Sequence, residues 1–314
     1  MVGVAEDTLE HAALVRARRT LGDFELIVCT DGTYLLDGGA MFGVVPKPLW
    51  QKRIAADSEN RIRLGLNSVV VRTGKHTVVI ETGIGNKQSP KMQQIHQNQA
   101  QLPTSLLAAG VDPAKVDIVI NTHLHFDHCG WNTTLHPDGR VTPTFPNARY
   151  FAHAGEVAHG HRQLERDRVS YLSPNYDPLV ESGQMTLLDE ASFAAGRDLR
   201  AAICDGISVE LFPGHTAQMM GVHIAPERAT ESRPGAAGGP HACYIGDLIP
   251  TAHHLDPTWV MGYDLDPLRS IEERKRFYQR AIPEEWLVLF THDHETPIGR
   301  VVSDQKGKPA VAKG

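Results

Sequence analysis

Long hydrophobic runs, paired cysteines and blocks of basic charge are all missing from this 314-residue sequence. No stretch approaches the roughly 20 consecutive apolar residues that a membrane-spanning helix needs, so a membrane is not an expected partner. The four cysteines, Cys29, Cys129, Cys204 and Cys243, include no CxxC pair. Scattered in this way, they read as reduced thiols of a cytoplasmic protein and not as a disulfide framework. The formal charge is −6 with no Lys/Arg cluster, which argues against nucleic acid or an anionic bilayer as the principal partner. Glu6, Asp7 and Glu10 interrupt the N-terminal stretch, so no secretory signal is expected there. A GxSxG nucleophile elbow is also absent.

What is present is material for a sizeable core, with 41% hydrophobic residues. "FELIVCTDGTYLL" reads as two short strands about an Asp-Gly turn, and "NSVVVRTGKHTVVIETG" repeats the hairpin pattern around Gly74 and Lys75. "TSLLAAG" suits a short helix stopped by Gly110, and "VDIVI" a buried strand. Further strands are expected at "ARYFAH", "GQMTLL", "ISVELF", "MMGVHIA", "ACYIGD" and "EWLVLF", with helices over "GEVAHGHRQLERDRVSYL" and "DPLRSIEERKRFYQRAI". The expected architecture is α/β: two mixed sheets packed face to face with helices outside, a four-layer αββα sandwich. It would form one domain over residues 1–314, with 1–20 an N-terminal extension, 226–241 a mobile hairpin insertion and 303–314 a flexible tail.

The chemistry concentrates in "INTHLHFDHCGWN", directly after the apolar "VDIVI". In an extended segment His123 and His125 project to the same side and can grip one ion. Asp127 and His128 come a turn later and suit a second position about 3.5–4 Å from the first, the spacing of two-metal hydrolytic sites. Other strand ends must complete both sites, and His215 in "LFPGHT", Asp247 in "YIGD" and His292 in "LFTHDHE" occupy such places. His294 stands two residues past His292, so period alone leaves both facing one side.

The series His123, His125, Asp127, His128, then His215, Asp247 and His292, resembles the metallo-β-lactamase superfamily of hydrolases. "DGGAMFGVVPKPLW", "NTHLHFDHCGWN", "PGHTAQ" and the late HD-E pattern resemble its lactonase-like branch, which includes quorum-quenching acyl-homoserine lactonases and phosphotriesterase-like relatives; the similarity runs from about Leu35 to about Val301. The resemblance implies the metallo-β-lactamase fold and two divalent ions, zinc first, with manganese, cobalt or iron also accepted by His/Asp sites. It assigns His123, His125 and His215 to one ion, Asp127, His128 and His292 to the other, and Asp247 to both. A carboxylate has two oxygens to share, which agrees with that division. The implied activity is opening of lactone rings, N-acyl-homoserine lactones in particular, by a hydroxide bridging the ions, with Asp127 returning a proton to the leaving alkoxide. Phosphotriester or aryl-ester hydrolysis is the alternative, and an iron redox protein or a metal-binding scaffold is a remoter one.

Two departures from the branch stand out. Glu81 replaces the aspartate common before Thr-Gly, and would have to orient its partner from one methylene further back. No tyrosine closely follows Asp247; Pro250 stands near that place, leaving His254, His253 or Tyr263 as the helper, with His254 named as the catalytic candidate. Met41, Phe42 and an exposed Trp131 are the expected substrate-binding wall. The expected partner is a small neutral ester or lactone, with a homodimer left open.

Overall fold

The computed structural model describes residues 13–194, 199–226 and 240–312. The first half of the chain contributes β1 (Val15–Leu21), β2 (Phe24–Asp37), β3 (Arg61–Arg72), β4 (Thr77–Ile80), β5 (Ile118–Ile120), β6 (Thr133–Leu135), β7 (Val141–Pro143), β8 (Arg149–His153) and β9 (Met185–Leu188). β6 and β7 pair with each other, and the other seven form one sheet in the order β1-β2-β3-β4-β5-β8-β9. It is antiparallel from β1 to β4 and parallel from β4 to β9. The second sheet runs in chain order through β10 (Arg200–Cys204), β11 (Ile207–Leu211), β12 (Met220–Ile224), β13 (Ala242–Tyr244), β14 (Leu287–Leu289), β15 (Ile298–Ser303) and β16 (Pro309–Ala312), with only the β13–β14 pair parallel. Both sheets are mixed, as expected.

The helices are α1 (Gly38–Phe42), α2 (Lys47–Trp50), α3 (Pro90–His96), α4 (Leu102–Ala108), α5 (Phe126–Cys129), α6 (Ala154–Arg162), α7 (Asp177–Glu181), α8 (Glu190–Ala194) and α9 (Pro267–Ala281). No helix among the described residues is long and apolar enough to cross a membrane. Leu26, Val28, Val69, Val71 and Ile80 of the first sheet pack against Val209, Val222, Ile224 and Leu289 of the second. The opposite face of the first sheet is covered by Leu102 and Leu106 of α4 and Leu179 of α7. Phe277, Tyr278 and Ala281 of α9 cover the second sheet. These layers make the αββα sandwich. Strands such as Val78–Ile80 and Ile118–Ile120 are continuous apolar runs because they are buried on both faces.

Several boundaries differ from expectation. Residues 15–20 are no extension: β1 is an edge strand whose ladder on β2 runs from Val15↔Cys29 to Leu21↔Phe24. Residues 303–312 are no free tail either, since β16 closes a hairpin with Val301↔Val311 and Ser303↔Pro309. The proposed insertion falls mainly on residues 227–239, outside the described residues. The hairpin at Gly74 and Lys75 forms, with Arg72 opposite Thr77. The one at Asp31-Gly32 does not. β2 passes through it as one 14-residue strand, interrupted by a register shift between Thr30 and Thr33. The expected helix from Gly155 ends at Arg162, where Gln163 turns to φ 48°.

Candidate metal centre

Four strand ends converge on one point at the seam of the sheets. β5 delivers the loop that begins at Asn121, and Asn121 Nδ2 pins it by donating to the His128 carbonyl at 3.1 Å. His125 takes the N-cap position of α5 with extended backbone, and Asp127 and His128 enter the helical turn that follows. His215 follows β11, Asp247 sits in the tight turn Gly246–Leu248 after β13, and His292 follows β14.

The seven side chains meet as two groups. In the first, Nε2 of His123 and Nε2 of His215 each lie 3.1 Å from Nδ1 of His125. In the second, His128 Nε2 is 3.3 Å from His292 Nε2, and Asp127 meets both rings, with Oδ1 3.9 Å from His128 Nε2 and Oδ2 3.7 Å from His292 Nε2. Asp247 faces both, with Oδ2 3.4 Å from His215 Nε2 and Oδ1 3.2 Å from His292 Nε2 and 3.6 Å from His128 Nε2. Tetrahedral metal–nitrogen bonds of about 2.0–2.1 Å place ligand atoms about 3.3–3.4 Å apart. The observed spacings fit that geometry, and Asp247 Oδ1 is buried without a hydrogen-bond partner among the described residues. His123, His125 and His215 could hold one cation, and Asp127, His128 and His292 another. Burial alone would raise the Asp247 carboxyl, but the imidazoles of His292, His128 and His215 outweigh it and hold Asp247 well below the usual carboxylate range.

A model of the metallo-beta-lactamase superfamily matches residues 62–228, a little over half of the chain. The chain belongs to the metallo-beta-lactamase superfamily. Among solved structures it resembles a probable metal-dependent hydrolase from Staphylococcus aureus at 26% identity and TM-score 0.79, with 94% of this chain and 99% of that one covered. A hydrolase of the beta-lactamase superfamily, AbOPH, is 20% identical at TM-score 0.73, covering 96% and 98%. AidC, a dizinc quorum-quenching lactonase in complex with a product, is 17% identical at TM-score 0.73, covering 96% and 99%. The last two likenesses speak for the fold. Asp247 and His292 lie beyond the residues that the superfamily model matches, so their place in the cluster rests on the geometry itself.

In this superfamily member, partners behind the imidazoles fix which nitrogen faces the site. His215 Nδ1 donates to Asp264 Oδ1 at 3.0 Å and His292 Nδ1 to the Gly65 carbonyl at 2.9 Å, leaving each Nε2 lone pair turned inward. His123 Nδ1 meets Thr122 Oγ1 at 2.9 Å. Glu81, at φ 62°, accepts from the Thr122 amide at 2.6 Å through Oε1 and sets Oε2 3.2 Å from His128 Nδ1. The longer acid therefore reaches His128 from a left-handed backbone conformation that a non-glycine residue adopts only when its surroundings hold it there.

A cleft of about 270 Å³ opens onto the cluster, with His125, Asp127, His215, Asp247 and His292 at its floor. Leu36, Met41, Met92, Phe126 and Met261 form an apolar wall, and Tyr34 and Tyr263 also line it. Of the residues expected to bind substrate, Met41 lines the cleft and Phe42 and Trp131 do not. Phe42 is fully buried, stacked 5.2 Å from Trp50 and 4.5 Å from His254. Trp131 is a core residue, 8% exposed, whose indole N–H donates to Asp31 Oδ1 at 2.9 Å; its polar edge supports the fold.

His254 is not a helper. Its Nε2 donates to the Met41 carbonyl at 2.9 Å and its Nδ1 accepts from Thr251 Oγ1 at 2.8 Å, so no nitrogen remains for a substrate. Burial pushes it down to about 3. His253 does not line the cleft, whereas Tyr263 does, its phenol pushed up to about 12 by burial and the charges of Asp37 and Asp127. His294 joins neither ligand group and sits half-buried, 3.8 Å from Glu295. Sequence reading missed Asp31, Tyr34 and Asp264. A late acidic residue close to a cleft tyrosine, as in "YDLD", was the one available signal, for Asp264.

Proposed function

We propose that this protein hydrolyses the ring ester of lactones, N-acyl-homoserine lactones first among them, on two divalent cations, zinc for preference. The observation that carries the reading is the split of Asp247: one oxygen faces each imidazole group, at the floor of a cleft with an apolar wall. His123, His125 and His215 would hold one cation and Asp127, His128 and His292 the other, with Asp247 available to both. A divalent pair supplies Lewis acidity, which makes water a nucleophile near neutral pH and polarises an ester carbonyl. The likeness to AidC in fold supports the choice of lactones.

The chain's own residues do the remainder. Leu36, Met41, Met92, Phe126 and Met261 seat an acyl substituent and exclude bulk water from the floor. Asp264 and Gly65 keep His215 and His292 in the tautomer that ligates. Asp127, which lines the cleft, takes up the proton released by the attacking water and passes it to the departing alkoxide.

The test is a comparison of kcat/KM for an acyl-homoserine lactone series with that for a phosphotriester and an aryl ester on one metal-loaded preparation. Lactones should lead. A phosphotriester ahead by about a hundredfold, or an ester turned over with no lactone opened, overturns the assignment.

A further inference from the structure

Along the first part of β2, Ile27 and Cys29 face the α4 layer while Leu26 and Val28 face the second sheet. Period two would carry even-numbered residues to the second sheet throughout. The ladder instead jumps from Thr30↔Asn67 to Thr33↔Gly65, three steps on β2 against two on β3. This bulge reverses the alternation. Tyr34 and Leu36 therefore emerge on the cleft side, together with Leu64 and Ile62 of β3. Gly32, at φ 100°, makes the turn possible: a Cβ there would sit 2.1 Å from Gln99 Oε1.

The re-aimed phenol reaches two residues of the second ligand group. Its O–H donates to Asp127 Oδ2 at 2.8 Å, and its oxygen is 3.4 Å from His292 Nδ1. The rings of Tyr34 and His292 lie 5.5 Å apart, and His96 closes the other side of Tyr34 edge-on at 5.9 Å. Tyr34 is 1% exposed, so this contact forms without competition from bulk water.

We propose that Tyr34 is a positioning residue for the second cation: by committing Asp127 Oδ2 it leaves Oδ1 as the ligating oxygen and holds the carboxylate to one-oxygen coordination. A carboxylate free at both oxygens can pivot and bind through either or both; a phenol donor on one removes that freedom. The bulge thus serves the metal site at a distance along the chain. This inference rests on the two-cation reading above, and it concerns the Asp127 side alone, since no atom of Tyr34 bonds to His123, His125 or His215.

The experiment uses Tyr34→Phe, which keeps the ring and removes only the O–H, beside Tyr278→Phe, which removes a buried phenol bonded to the Leu255 carbonyl away from the site. Ions per chain are followed under graded chelator, the cobalt-substituted visible spectrum is recorded, and kcat and KM for a lactone are separated. Thermal unfolding of the metal-free proteins checks that both variants fold. In Tyr34→Phe one ion, the one on the Asp127 side, should loosen about 10–100-fold, the size expected for an outer-sphere partner. The other ion should stay, the cobalt bands of one site should shift, and kcat should fall with KM little changed. Tyr278→Phe should show none of these. Unchanged ion affinity and spectrum in Tyr34→Phe, or parallel loss of both ions, overturns the inference. Wild-type protein that holds no stoichiometric metal instead overturns the two-cation reading, and the positioning role with it.

Discussion

The two ligand groups are built differently although they share Asp247. The group of His123, His125 and His215 is all imidazole, and behind it stand a threonine hydroxyl and the Asp264 carboxylate. The group of Asp127, His128 and His292 contains a carboxylate of its own, backed by a phenol, the Gly65 carbonyl and Glu81. The first pole is therefore neutral at its ligands and charged behind one of them. The second carries charge in both places. A neutral ligand set leaves a cation more electrophilic, and an anionic set holds it more firmly. On that ground the first position suits polarisation of a carbonyl, and the second suits retention of the ion beside a proton carrier.

Breaking the comparison altogether should have the largest effect. Asp247→Ala removes the one residue common to both groups, so ion content should fall toward one or none per chain and kcat/KM by well over about 100-fold. Elemental analysis and a lactone assay on the same sample check this, and a variant that keeps two ions would show the groups to be independent.

Next comes a paired test within "FTHDHE". His292→Ala should abolish turnover by emptying the second group, whereas His294→Ala should keep activity within a few-fold, because His294 meets no ligand atom of either group. The reverse order of losses would reassign the ligand.

The smallest effect sharpens the contrast behind the ligands. Asp264→Asn keeps the size but removes the charge behind His215, and Glu81→Gln does the same behind His128. Each should weaken one ion by about 10–100-fold in chelator competition. The two variants should affect different ions, distinguishable in a cobalt spectrum; loss of the same ion from both would erase the distinction between the poles.

How much of this was legible in the sequence depends on whether a residue's role follows from its own neighbours in the chain. The grouping of His123, His125, Asp127 and His128 was legible because three histidines and an aspartate stand within six residues just after a strand. His215, Asp247 and His292 were legible because each ends another apolar run. Asp31 was read as a turn because Asp-Gly is the common hairpin pair. Its oxygens instead accept from the amides of Ile84, Gly85 and Leu102 and from the Trp131 indole, all remote in sequence. Tyr34 was hidden by the bulge, since a single extra residue reverses which face a side chain takes. Phe42, Trp131 and His254 looked like wall and helper because an aromatic or imidazole near a ligand has the same letters whether it faces a cleft or a core. Burial and the carbonyl of Met41 decide that, and neither is written locally.

The convergence of four strand ends at the seam has one more consequence, for folding. The loop after β5 belongs to the first sheet, while His215 and His292 belong to the second, so each ligand group draws from both. No half of the sandwich can fill either position alone. A bound cation is then a cross-link whose strength follows mass action: at free metal about a hundredfold above its Kd, each site would add about 2.7 kcal/mol to the docking of one sheet on the other. The organism's metal supply and the cooperativity of this fold become one thermodynamic variable, and starvation for the ion would be felt first as a loosening between the sheets.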